Sequence, residues 1–253
     1  YQVNIMLGTL LASFLAEGSI SYLYFADRLV QFPLGVFGVA VSTAALPQLS
    51  RCQACGDDDG FRDAVNSGLR LTLFIGIPAA MGLMGLAEPI VDLLFARGKF
   101  GGADVTATAL ALLGYGIGLP AYMCVKPLVS AFYAMQDTRT PVKVAAFCVL
   151  LNIGLGASLM IPLSHVGLAL ASSISAWMNV LILSKLLKKD IGTFFFPGKS
   201  LIATLGLSLL LLLATWPLSS LGRWSIALIP VIVAMFMFAA HALRLEEART
   251  LMD

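Results

Sequence analysis

The chain has 253 residues, is 59% hydrophobic and 12% charged, and carries a mean hydropathy of +0.91 and a formal net charge of +2. A soluble domain is about 25% charged, so this sequence cannot cover a globular surface with polar groups. The small net charge gives no electrostatic footprint for nucleic acid, and the apolar runs are continuous rather than alternating, which excludes a membrane β-barrel.

Runs near the roughly 20 residues needed to cross a hydrocarbon core recur along the chain and predict eight spans. They fall at 3–16, 29–49, 69–95, 105–134, 142–163, 166–184, 200–221 and 224–243. The fold class is all-α, a polytopic helical membrane protein. The chain opens at Tyr1 inside an apolar segment with no cleavable signal pattern, which reads as a piece of a longer chain cut within or just before a membrane helix.

Around the second span, YFADRLVQFPLG (Tyr24 to Gly35) sets Asp27 and Arg28 side by side in apolar sequence. A charge at mid-bilayer costs about 2.5–3.5 kcal/mol on insertion scales. Two readings of Arg28 stand side by side. At the start of its span it can snorkel to the interface; alternatively it faces a cavity and binds an anion, for which a planar, permanently charged guanidinium is suited. A tight pair with Asp27 is disfavoured, since adjacent helical residues point about 100° apart. Gly35, Gly38, Ala40 and Ala44 line the same span with small residues.

The loop from Arg51 to Gly68 holds Cys52, Cys55 and the run Asp57-Asp58-Asp59. Two cysteines without a second pair do not make a zinc site, and the acidic run lacks calcium-loop spacing. It reads as a solvated loop, with Asp59 or Asp63 capping a short interfacial helix. Cys124 and Cys148 read as packing residues in apolar runs. Glu17 and Glu88 read as residues at or near the outer face.

Further on, Gly114-Tyr115-Gly116-Ile117-Gly118 contains a GxxxG spacing, which lets membrane helices approach closely. Lys126 follows about twenty uncharged residues and precedes Pro127; it either reaches the cavity or snorkels over a turn or two to the cytoplasmic surface. The stretch Val144 to Ser184 has no Lys, Arg, Asp or Glu and is too long for one span. Pro162 and Ser164-His165-Val166-Gly167 divide it. Pro217 and the segment 219–223 separate the last two spans.

Eleven Lys and Arg residues fall in one alternate set of connections and three in the other. By the positive-inside rule the first set is cytoplasmic, and so is the C-terminus. No HExxH, no GxSxG with a usable His, and no glycine loop for a nucleotide occurs, so an enzyme is not expected.

Three stretches carry a resemblance: ADRLVQFPLGVFGVAVSTAALPQLSR (Ala26–Arg51), LFARGKF (Leu94–Phe100) and AFYAMQDTRTPVKVA (Ala131–Ala145). In this order and spacing they resemble the MurJ/MviN family of lipid II flippases, within the multidrug/oligosaccharidyl-lipid/polysaccharide exporter superfamily. The resemblance runs from about residue 3 to 185. It implies the second six-helix lobe of a two-lobe transporter over 1–198, its first helix truncated, and two additional helices with a short cytoplasmic tail over 199–253. It implies transport of undecaprenyl-diphosphate-linked peptidoglycan precursor from the inner to the outer leaflet of the bacterial cytoplasmic membrane, by rocking of two lobes about a cavity. The implied partners are lipid II, membrane lipids and an N-terminal lobe of the same chain; no cofactor and no nucleic acid is implied.

Arg28 matches a family arginine that faces the cavity, and its implied role is to hold the diphosphate, with Asp27, Gln31 and Lys126 as weaker candidates. Gln31 lies where many relatives carry Glu. Gly8 and Gly156 lie where some carry Asp; there the carboxylates, with residues matching Asn152 and Ser172, hold a sodium ion. Asn152 and Ser172 remain here only as remnants, and no strong sodium site is expected. The last two helices are implied to shape a groove for the polyprenyl tail, though plain lipid-facing helices would read the same. Competing readings are an exporter of another lipid-linked glycan or a drug, a membrane-embedded enzyme on a polyprenyl diphosphate, and a transport-dead scaffold.

Overall fold

The computed structural model describes residues 2–192, 198–218 and 236, and every regular element in them is a helix. The predicted span 224–243 lies outside the described residues apart from Phe236, as does the predicted tail. Helix α1 is Gln2–Ala12. A turn then closes at Gly18, whose φ of +91° favours glycine; a Cβ there would sit 2.5 Å from the Tyr22 hydroxyl.

Helices α2 (Ser19–Pro33) and α3 (Val39–Cys55) are joined by one wide π turn, Leu34–Gly38. Pro33 has no N–H to donate to the preceding turn, and the Leu34 amide is shared between the Val30 and Gln31 carbonyls. The ladder is therefore loosened without ending, and 37 residues run on as one helix, about 55 Å long. This extends the predicted span 29–49 at both ends. It also corrects the placement of Arg28: nine helical residues, Ser19 to Asp27, precede it, so it lies inside the helix rather than at its start.

Helix α3 stops at Gly56, φ +66°. Helix α4 (Asp58–Gly85) follows directly. The predicted cap is corrected: Asp57, not Asp59 or Asp63, accepts the Gly60 amide at 2.9 Å, and it opens a 28-residue helix rather than a short interfacial one. Helix α5 (Ala87–Phe95) ends in the LFARGKF segment.

The predicted span 105–134 is a bent pair, α6 (Gly102–Gly116) and α7 (Leu119–Ala134), at 40°. The carbonyls exposed at the bend are not left bare. Trp177 Nε1 donates to Ile117 O at 3.0 Å, and Ser173 Oγ donates to Gly114 O at 2.6 Å. The small-residue contact read from GxxxG is present here. A Cβ on Gly114 would lie 2.8 Å from the Ala169 Cβ, and one on Gly118 would lie 2.5 Å from Ser173 Oγ.

Helix α8 runs Arg139–Ile191. Its Asp137-Thr138 approach is a tight turn in which Asp137 Oδ1 accepts the Arg139 and Thr140 amides, each at 3.0 Å. These bonds, that from the Thr140 side chain foremost, hold the Asp137 carboxyl below its ordinary value. Fifty-three residues would span about 80 Å, far more than a bilayer. The chain breaks at Ser164, with φ +51° and ψ −134°, as Pro162 and the following turn predict. Ser175 Oγ bonds Cys148 O at 2.6 Å, and Gly156 lies against Leu168. The pairs 148/175 and 156/168 show the second half returning antiparallel along the first.

Two buried clusters stack along the bundle. The upper one joins α2, α5, α6 and the bend of α8 through Ala26, Val30, Val91, Leu112 and Leu168. The lower one joins α3, α4, α7 and the ends of α8 through Leu49, Phe61, Leu128, Phe132 and Leu187. Lipid tails are as apolar as Leu, so such contacts stabilise through close packing rather than escape from water. At the lower end Arg62 staples the fold: its Nε and Nη2 donate to Ile191 O at 3.0 and 2.8 Å, and its Nη1 pairs with Asp59 at 2.8 Å. The guanidinium thereby caps the last turn of α8.

Helix α9 (Gly198–Leu218) lies along α4, with Thr204, Ser208 and Thr215 buried in the seam and Ile202, Leu209, Leu210 and Leu213 exposed. Among the described residues three helices are long and apolar enough to cross a membrane alone, or four with the bent pair α6–α7 as one span.

Candidate functional site

Helix α2 and the first residue of the π turn carry a stripe, Ile20, Leu23, Tyr24, Asp27, Val30, Gln31 and Leu34, at three- and four-residue spacing, so one face presents all of it. That face lines a cavity of about 140 Å³. Helix α1 contributes Gly8 and Thr9, the bent pair contributes Tyr115 and Tyr122, and the two halves of α8 contribute Asn152 and Gly156, then Ser172. Inside the stripe the Gln31 amide donates to the Asp27 carboxylate. Asn152 is buried, and Ser172 Oγ donates back to Leu168 O at 3.2 Å. Drug-sized sites are roughly 300–1,000 Å³, so this cavity is far too small for a disaccharide headgroup. It suits water or a small ion.

The structure divides the sequence-predicted residues. Asp27, Gln31, Asn152, Ser172, Gly8 and Gly156 meet in this one cavity. Arg28 is not among its lining residues. It is exposed on the neighbouring face of α2, with its guanidinium carbon 4.8 Å from the centroid of the Tyr24 ring. That is a cation–π contact one helical turn back along the chain. Lys126 stands apart, exposed on α7 eight residues before Ala134, about 12 Å along the helix axis. Its carbonyl lies 3.5 Å from Ser42 Oγ. Sequence reasoning missed Thr9, Tyr24, Tyr115 and Tyr122. For Tyr24 the signal was available, since it precedes Asp27 by three residues and Gln31 by seven.

The cavity holds one carboxylate where a hard cation asks for several charged oxygens to offset dehydration. Among the described residues no cluster of three or more His, Cys, Asp or Glu occurs, and the four cysteines, Cys52 and Cys55 included, are free thiols. A gain-of-function variant follows. A Cβ at Gly8 meets nothing within 4 Å, and at Gly156 it meets the flexible ends of Leu168 and Leu11 at 3.2 and 3.3 Å and the Ala171 Cβ at an ordinary 4.0 Å. Exchanging choline for sodium chloride at constant ionic strength should leave the wild-type melting temperature unchanged. The double variant Gly8→Asp/Gly156→Asp should gain about 3 °C or more, as a ligand bound only by the folded state requires. A sodium-dependent rise in the wild type would refute this reading.

The family profile described as "Lipid II flippase MurJ" matches residues 1–239. The chain is similar to proteins described as probable lipid II flippase MurJ from Vibrio cholerae (44% identical over 182 residues, 72% of this chain and 35% of the relative) and Haemophilus influenzae (42% over 208 residues, 79% and 40%). It is also similar to the lipid II flippase MurJ of Burkholderia cenocepacia, 39% identical over 189 residues, 74% and 36% of the two chains. The chain thus spans between a third and two fifths of the length of these relatives. A solved lipid II flippase MurJ in an inward closed conformation superposes with a TM-score of 0.84 at 29% identity, covering 100% of this chain and 52% of that one. A eukaryotic MATE transporter shares the fold, with a TM-score of 0.61 at 19% identity over 98% of this chain and 57% of that one.

Proposed function

The chain belongs to the lipid II flippase MurJ family, and from that membership we propose that it forms the second lobe of a flippase carrying lipid-linked peptidoglycan precursor from the inner to the outer leaflet. Residues 1–198 supply six membrane helices of that lobe, and 199–253 supply two more that border a path for the lipid tail. The first lobe comes from the rest of the same protein, and the two close alternately on a central cavity. The Lys and Arg asymmetry supports an orientation with the C-terminus, Arg51, Arg139 and Lys188 on the cytoplasmic side. Exposed apolar residues on α9, such as Ile202 at 70% and Leu210 at 63%, suit contact with a hydrocarbon chain.

The observation that carries this reading is Arg28. It is a fixed cation well inside a 37-residue membrane helix, exposed, and steadied by Tyr24. A diphosphate crossing the bilayer needs such a partner, because its charge is costly in a low dielectric and a guanidinium meets it with two parallel hydrogen bonds. Membership and the MATE-like fold leave two rivals, export of another lipid-linked glycan or a drug, and a transport-dead scaffold. The full-length protein, expressed in bacteria depleted of their own lipid II flippase, separates the flippase from both. Restored growth with precursor returning to the outer leaflet is expected. Continued lysis despite normal membrane levels of the protein would move the assignment to these rivals, a different substrate or a non-transporting role.

A further inference from the structure

The LFARGKF segment is not used by the cavity, and neither are Tyr22, Asp104 and His165, yet all of them converge on the upper end of α2. Tyr22 donates to Asp104 Oδ1 at 2.6 Å, while Asp104 Oδ2 accepts the Gly101 amide at 2.8 Å. One carboxylate therefore caps α6 and holds α2 at once. The Tyr22 ring meets His165 edge-on at 5.5 Å, and His165 Nε2 is 3.0 Å from the Ala107 carbonyl. One turn further, Phe25 packs on Phe95 at 4.5 Å and on Phe100 at 5.6 Å, both from LFARGKF.

The helical period of 100° per residue puts Tyr22 and Phe25 on one side of α2. Tyr24, Asp27 and Gln31 lie about 130–170° round the helix from that side, and Arg28 lies between, on the flank, about 60° from Phe25. The grip therefore holds the side of the helix next to Arg28, and Phe25 meets edge-on, at 5.7 Å, the Tyr24 ring that carries the guanidinium. Beyond Gln31 comes the π turn Leu34–Gly38, where the ladder is loosened. Arg28 thus sits between a fixed end and a pliant one, so its position is set mainly by the fixed end.

We propose that Tyr22, through Asp104, is a positioning residue for Arg28: it fixes the rotation and height of α2 so that the guanidinium meets the diphosphate. The inference rests on the flippase reading above. A bidentate contact tolerates little displacement, and a misplacement of about 1 Å can cost up to a hundredfold. Losing one hydrogen bond about 120° round the helix from Arg28 should cost less, about tenfold in affinity.

The test uses the full-length protein in nanodiscs, with undecaprenyl diphosphate as the probe. Tyr22→Phe keeps the ring packed on His165 and removes only the hydroxyl. It should weaken binding about tenfold while the melting temperature stays within about 2 °C. In an Arg28→Lys background the same change should weaken binding less than about threefold, because a point charge on a flexible stem depends little on helix rotation. Wild-type affinity in Tyr22→Phe would overturn the proposal, and so would an equal loss in both backgrounds, which marks a general loss of structure. Absence of binding by the wild type would instead overturn the flippase reading on which it rests.

Discussion

Replacing Arg28 with Ala in the full-length protein should abolish rescue of flippase-depleted bacteria at wild-type membrane levels. In reconstituted vesicles the same variant should slow translocation by about thirtyfold or more. The magnitude follows from what is lost. Truncating one partner of a desolvated, hydrogen-bonded charge pair typically costs about 2–5 kcal/mol, and each 1.4 kcal/mol is a factor of ten. Two further variants locate the effect in the guanidinium. Arg28→Lys keeps the charge and loses the planar fork, so it should fall between wild type and Ala. Tyr24→Ala removes the ring under the guanidinium, a contact worth about 0.5–1 kcal/mol where exposed, and should slow translocation only a few-fold. Full rescue by Arg28→Ala would return the residue to an interfacial anchor and leave the substrate charge to other groups.

The long helix shows why part of this was legible in the sequence and part was not. Hydropathy finds the apolar core of a span but discounts mixed flanks. Ser19 to Arg28 contains serines, tyrosines and an ion pair's worth of charge, so hydropathy opens the span at residue 29 and sets Arg28 at its boundary. In the fold those flanking polar groups have partners: Tyr22 has Asp104, and Asp27 has Gln31. A helix whose polar side chains are satisfied laterally can continue through them. The Asp57 cap was missed for a similar reason, since three consecutive aspartates offer equal side-chain chemistry and only the backbone turn selects one. By contrast, the break near Pro162 and the close contacts of Gly114 and Gly118 were local properties of residue size and dihedral freedom, and the sequence shows both directly.

The cavity lies at the far end of that scale. Asp27 and Gln31 are four residues apart and were read together. Bringing them to Tyr115, Asn152 and Ser172 needs the bend of α6–α7 and the return of α8 at once. No periodicity within one helix encodes that meeting. The resemblance to a family grouped Gly8, Gly156, Asn152 and Ser172 in advance, and the fold places all four in one wall, with Asp27 as the carboxylate the grouping had not counted. Arg28 and Lys126 are a warning in the other direction. Both are basic residues in apolar runs, yet they sit on different helices, and only Arg28 borders the polar stripe.

Among the described glycines, Gly167→Ala should be the most damaging substitution, because the return of α8 depends on it. A Cβ at position 167 would lie 2.2 Å from the Leu159 carbonyl oxygen and 2.5 Å from its carbon. Both are backbone atoms of the facing half of the hairpin, so no side-chain rotation relieves the clash. The two halves would have to separate, and the separation would be felt at Gly156 against Leu168 and in the Ser175 bond to Cys148, and so at the cavity wall. Overpacking a close contact costs about 1–3 kcal/mol when neighbours can yield, and here they cannot, so the upper end of that range is the least to expect. The control lies in the same helix. Gly154 is exposed, and a Cβ there meets nothing within 4 Å; Gly154→Ala should be neutral or stabilise by up to about 1 kcal/mol through helix propensity. Melting temperatures of the detergent-purified protein should therefore drop for Gly167→Ala and hold or rise for Gly154→Ala, two identical chemical changes thirteen residues apart. If Gly167→Ala melted with the wild type, the hairpin would not pack through this contact, and the wall that brings Asn152 to Ser172 would have to be held by other residues.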